Sequence, residues 1–148
     1  MNVNEKIQVF ESQLKLLTGI KDNNYAFLEK KIIPAKNSLP ENYEYIFSNN
    51  QNRLITVVFS PHTERVTSSF RMRNSLNEDS FSVGNWLKYH DKWEGYDKFH
   101  IGSYNGNFLE QVTALFLYFT SIFTADDFLP IITGEKWEDV PFDWAGMR

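Results

Sequence analysis

Between residues 43 and 73, apolar side chains recur at alternate positions in successive runs separated by polar turns, and few folds accommodate that pattern. Tyr43, Tyr45 and Phe47 alternate with Glu44 and Ser48, the period of a strand with one buried face. Ser48-Asn49-Asn50-Gln51-Asn52 is turn chemistry. Leu54 to Phe59 is an almost unbroken apolar, β-rich run, as expected of a central strand. Ser60-Pro61-His62-Thr63-Glu64 turns the chain again. In the next run Val66, Ser68, Phe70 and Met72 face one way, while Arg65, Thr67, Ser69, Arg71 and Arg73 face the other. Links this short join only antiparallel neighbours, so 43–48, 54–59 and 65–72 predict a β-meander.

Helical spacing flanks the meander. Ile7, Phe10, Leu14 and Leu17 share one face and predict a helix from about Asn4 to Thr18, with Gly19 at its C-terminal cap. Residues 25–33 fit a short helix or a strand equally well, and Pro34 ends either. Val83, Trp86, Leu87 and His90 share a second helical face, with Ser80 or Ser82 as N-cap. Phe99–Tyr104 could add a short strand, with helix left open as for 25–33, and Asn105-Gly106 is a turn. Asn107 and Glu110 form a capping-box pattern ahead of Phe108, Val112, Leu115, Phe116, Phe119, Ile122 and Phe123. Nearly every residue from Ala114 to Phe119 is apolar, so this helix is expected to be buried on most sides. Thr124 is expected to cap a further short helix with Asp126 and Asp127 in its first turn, ended by Gly134. No repeat or linker divides the chain, and 1–148 reads as a single α+β domain: a meander packed against an N-terminal helix and a buried C-terminal helix.

Composition narrows the chemistry. With 148 residues and 42% apolar content, the chain can bury a real core. It has no cysteine, hence no disulfide, thiol nucleophile or thiolate metal site. Phe108–Phe123 is interrupted by Glu110, Gln111, Thr113, Thr120 and Ser121, too polar to span a bilayer. Residues 1–6 lack a signal-peptide pattern, so a soluble cytoplasmic protein is expected. His62-Thr63-Glu64 matches half of a deaminase zinc motif, but the two cysteines that motif requires are missing. His62, His90 and His100 have no metal-ligand spacing, and neither a metal nor a cofactor is expected. Ser68-Ser69 lacks a nucleophile elbow, and no phosphate-binding glycine loop is present. Arg65, Arg71 and Arg73 line one strand face, yet a net charge of −4 argues against nucleic acid.

Charge is instead segregated. Residues 1–73 hold ten Lys/Arg against seven Asp/Glu, and residues 74–148 hold five against twelve. The acidic half carries all four tryptophans: Trp86, Trp93, Trp137 and Trp144. It closes with Glu135, Trp137, Glu138, Asp139, Asp143 and Trp144, carboxylates interleaved with large rings. These six residues are the candidate partner-binding set. Aromatic anchors in an acidic field suit docking on a basic surface, although the same rings could fold back to close the core.

A small, acidic, aromatic-rich chain without cysteine, closing in Gly134-Glu135-Lys136-Trp137 and Pro141-Phe142-Asp143-Trp144, resembles the bacterial immunity proteins of contact-dependent and polymorphic toxin systems. The resemblance is one of type across the whole chain. It implies a cytoplasmic inhibitor without enzymatic activity that binds one cognate toxin domain, often a basic nuclease, and it transfers no residue roles. The competing expectation is a small enzyme or ligand-binding module with a pocket between the meander and the 107–123 helix, near His90, His100 and Arg71.

Overall fold

The computed structural model describes residues 1–18, 20, 25–38, 40–49, 52–92 and 98–142, with the side chains of 67–69 outside that description. The alternating runs form β2 (Asn42–Ser48), β3 (Arg53–Ser60) and β4 (Arg65–Asn74). Two more strands extend the meander. β1 (Ala26–Ile33) settles the ambiguous 25–33 segment as strand, and β5 (Asp79–Ser82) forms in a stretch that showed only polarity. Among the described residues the sheet is antiparallel in the order β1-β2-β3-β4-β5. The fold is α+β, with helices collected on one face of the sheet.

Register explains which face is buried. Tyr45 pairs with Val57 and Val57 with Phe70, so the alternating apolar residues of all three strands project together. Phe10 of α1 (Val3–Ser12) stacks on Phe59 at 4.1 Å between ring centroids. Phe119 of α4 (Phe108–Phe123) stacks on Phe70 at 3.6 Å, while Phe116 meets the same ring edge-on at 5.6 Å. Burying rings of this size is the main stabilising contribution of the core, and each favourable ring geometry adds about 1 kcal/mol. On the opposite sheet face Ile46, Thr56 and Val58 are also buried, but Ile46 and Val58 lie outside the core cluster shared with the helices.

The helices depart from the sequence expectation in instructive places. The predicted 4–18 helix is broken: α1 ends at Ser12, and α2 (Lys15–Thr18) resumes after Gln13 and Leu14. Leu14 and Leu17 remain buried, so the break keeps the apolar face inward. Gly19 lies outside the described residues. Ser82 caps α3 (Val83–Tyr89), accepting from the Asn85 N–H. Asn107 and Glu110 form the full capping box of α4. Ahead of it, Gly106 sits at φ 103°, where an added Cβ would also lie 2.8 Å from that of Glu110.

One open segment is settled and one expectation fails. Phe99–Tyr104 is not a strand: Ile101–Ser103 makes a 3-10 turn, and only His100 bridges to Arg65. Thr124 does not cap the last helix, because it is the C-cap of α4 and its hydroxyl donates back to Thr120 O. Such back-bonding competes with capping of a following helix. α5 (Leu129–Thr133) begins later, with Asp126 and Asp127 in the turn before it. Gly134 ends α5 in the left-handed region at φ 88°, as its position predicts.

Candidate functional site

The C-terminal segment is held by its backbone before any of its side chains matter. A helix leaves its last carbonyls without intrahelical partners, and those at the end of α5 and just beyond it are received by side chains of β3 and of the residues flanking β1, β2 and β3. Tyr25 OH donates to Ile132 O at 2.8 Å, and Asn49 Nδ2 reaches the same oxygen at 3.5 Å. Arg53 Nε donates to Ile131 O at 2.8 Å, one of its terminal nitrogens donates to Lys136 O, and the other donates to Asn52 O at 3.1 Å. Asn52 Nδ2 donates to Gly134 O at 3.5 Å. Arg53 is only 1% exposed, which demands this degree of hydrogen bonding. Burial lowers the Arg53 pKa and raises that of Tyr25, each favouring its neutral form. This clamp between the sheet and α5 was not foreseen. The signal was present, because Arg53 has the parity of Ile55, Val57 and Phe59 and so had to face inward.

Beyond the clamp the chain runs across β5 and α3. Trp137 packs on Phe81 at 5.1 Å and lies over the Arg53 guanidinium at 4.9 Å. Its indole N–H is buried and finds no acceptor among the described residues, so the ring is held by packing. Glu138 turns inward too. Its Oε1 accepts from Trp86 Nε1 at 3.0 Å, and its Oε2 lies 2.6 Å from His90 Nε2. His90 packs on Trp86 at 4.3 Å between rings.

With Trp137 and Glu138 turned inward, their neighbours Glu135 and Asp139 are exposed. Asp139 lines a cleft of about 260 Å³ together with Asp79, Ser80, Trp137, Val140 and Pro141. Across Pro141 a second cleft of about 280 Å³ is lined by Asn85, Lys88, Tyr89 and Phe142. Tyr89 and Phe142 are 56% and 48% exposed, unusual for rings of this size. The structure therefore gathers Glu135, Trp137, Glu138 and Asp139 into one strip but divides them between anchoring and display. It adds Asp79, which is not among the six candidate partner-binding residues. Asp143, Trp144 and Trp93 lie outside the described residues.

The residues of the competing pocket are not brought together. His90 sits at the end of α3, His100 bridges the start of β4, and Arg71 lies on the sheet face away from the helices, donating to Ser80 Oγ at 3.3 Å. His62-Thr63-Glu64 forms the turn between β3 and β4, with Glu64 paired to Lys6 at 2.9 Å. A different groove, of about 400 Å³, opens between α1, α2 and the first two strands. Leu14, Phe27, Tyr45 and Phe47 line it, with Glu11 and Lys30 among its polar groups. Glu11 accepts from Tyr45 OH at 2.7 Å and pairs with Lys30 at 2.5 Å. Among the described residues no three His, Cys, Asp or Glu side chains lie together as a metal site, and no helix is long and apolar enough to cross a membrane.

Compared with protein-family models, curated proteins and solved structures, the chain matches none. What the site can do rests on its own geometry.

Proposed function

We propose that this protein is a cytoplasmic, non-enzymatic inhibitor that neutralises a cognate toxin domain by binding a basic surface on it. One observation carries the reading: Asp79 and Asp139 line the same cleft as the Trp137 ring. Two carboxylates beside an aromatic face suit a guanidinium or ammonium group, combining charge attraction with cation–π contact. The exposed Tyr89 and Phe142 next to it supply rigid apolar area of the kind found at interface centres. Because the clamp fixes the segment in the free protein, little ordering would be required on docking.

The test pairs the protein with a basic toxin domain encoded beside it. Asp79→Lys with Asp139→Lys should lower the association rate by about tenfold or more at low salt, with a smaller loss at high salt. Stability should stay within about 0.5 kcal/mol, since both are surface changes. An unchanged association rate would show that this cleft is not the docking face. Failure of the wild-type chain to bind or neutralise the domain would remove the inhibitor reading for that partner.

The apolar groove beside Glu11 supports a second reading, a ligand-binding module, because its size falls within the range of small-molecule sites. Binding of an apolar probe that raises the melting temperature and is lost in Leu14→Arg would favour it. No shift across a panel of such probes would count against it.

A further inference from the structure

Among the described residues β1 is an edge strand of the sheet, and all eight of its residues are exposed. Alternate residues of such a strand direct N–H and C=O groups outward, a template for another strand. Its apolar side chains are concentrated at the two ends: Phe27 and Leu28 are 52% and 60% exposed, Ile32 and Ile33 57% and 38%. The charged residues Glu29, Lys30 and Lys31 lie between them.

We propose that β1 pairs antiparallel with β1 of a second copy of this chain, making one continuous sheet across a two-fold axis at Lys30. The charge pattern selects both occupant and register. Glu29 and Lys31 lie opposite Ile46 and Glu44 of β2, on the face away from the helices; Lys30 and Ile32 lie opposite Tyr45 and Tyr43, on the helix face. Residues directly opposite in a sheet share a face, so a two-fold at Lys30 sets Glu29 against Lys31 of the second copy, twice. Rows of Glu44, Lys31 and the second copy's Glu29 then alternate in sign across the joined sheet. Lys30 meets its own copy on the axis, but each Nζ already lies 2.5 Å from Glu11 Oε2 within its chain. An axis at Lys31 is worse, setting Lys31 against itself and Glu29 against Ile33. The register at Lys30 also brings Phe27 near the second copy's Ile32 on the helix face, where each shields apolar area of the other from water.

Edge lysines and bulges commonly deter pairing. Here the bulge lies between Phe27 and Glu29, leaving 29–33 regular, and the central charges complement a copy of themselves. The acidic cleft includes Asp79 of β5, at the opposite edge of the sheet, so pairing through β1 leaves it open.

Sedimentation of the full chain across a concentration series tests the proposal. Wild type should form a dimer, and Glu29→Lys or Lys31→Glu alone should raise its dissociation constant by about tenfold, since two attractive pairs become repulsive. Combining Glu29→Lys with Lys31→Glu should restore dimerisation, because the swapped charges again complement each other. Melting temperatures of all variants, which alter exposed side chains only, should stay near wild type and separate lost pairing from misfolding. A wild-type chain that stays monomeric at several hundred micromolar would overturn the proposal. So would a dimer indifferent to both single variants, or a double variant that fails to re-form it. Protection of β1 amides from exchange only when a different protein is added would assign the edge to that partner and equally overturn it.

Discussion

Arg53 and Glu138 illustrate how one buried polar side chain can place a whole segment. Replacing Arg53 with Met keeps most of the volume but strips donors from the carbonyls of Ile131 and Lys136, and charge-assisted bonds of this kind contribute more than neutral ones. Arg53→Met should therefore cost about 2–4 kcal/mol in chemical denaturation. Glu138→Ala should cost less, about 1–3 kcal/mol, because Trp86, at 1% exposure, loses the acceptor for its indole N–H. Tryptophan fluorescence during unfolding reports both. His100 gives a pH signature: partial burial and then the nearby Arg65 charge lower its pKa below 6.5, favouring the neutral ring in the folded state. Above that value folded and unfolded chains both carry neutral imidazole, so the group has no effect. As pH falls through it, the unfolded chain takes up the proton first, and stability is lost until the folded ring also titrates. His100→Gln should thus flatten the fall in urea midpoint between pH 7 and about 5. An unchanged slope would show that the ring is not linked to folding.

At the scale of elements, β2, β3 and β4 were legible because each has one buried face and polar turns, so period, composition and boundaries agreed. β1 was ambiguous for a physical reason. All its residues are exposed, so no buried stripe imprinted a period on its sequence. β5 is four residues long, below the length at which alternation can be recognised. The tail was legible as aromatic and acidic, but which residues turn inward depends on Phe81, Trp86, His90 and Arg53, contacts distant in sequence. Caps show the same division. Asn107 was readable because its partner Glu110 is three residues away, whereas Thr124 resembled an N-cap until the chain's path made it a C-cap. Asn107→Ala should cost about 1 kcal/mol, lowering the melting temperature by about 2–4 °C for a chain of this length. Thr124→Ala should change it far less. Equal losses would mean that Thr124 stabilises a helix start after all.

At the scale of the molecule, the two proposed surfaces lie at opposite edges of one sheet. β1 presents Glu29, Lys30 and Lys31 on one exposed edge; β5, α3 and the clamped tail around Asp79 and Asp139 form the other. Five strands at a spacing of roughly 4.8 Å place these edges some 20 Å apart, about two Debye lengths at physiological salt. Charges that far apart are largely screened from one another, and changes at sites without shared partners add. Dimerisation through β1 and docking through the acidic cleft should therefore be separable. Glu29→Lys should weaken the dimer while leaving the association rate with a basic partner within about twofold. Asp79→Lys with Asp139→Lys should slow that association while leaving the dimer constant unchanged. The wild-type complex should then contain two copies of each protein, and the Glu29→Lys complex one of each at concentrations where this variant is monomeric, which mass measurement in solution distinguishes. If either set of substitutions disturbs both equilibria, the two surfaces overlap or communicate through the sheet, and the assignment of one function to each edge fails.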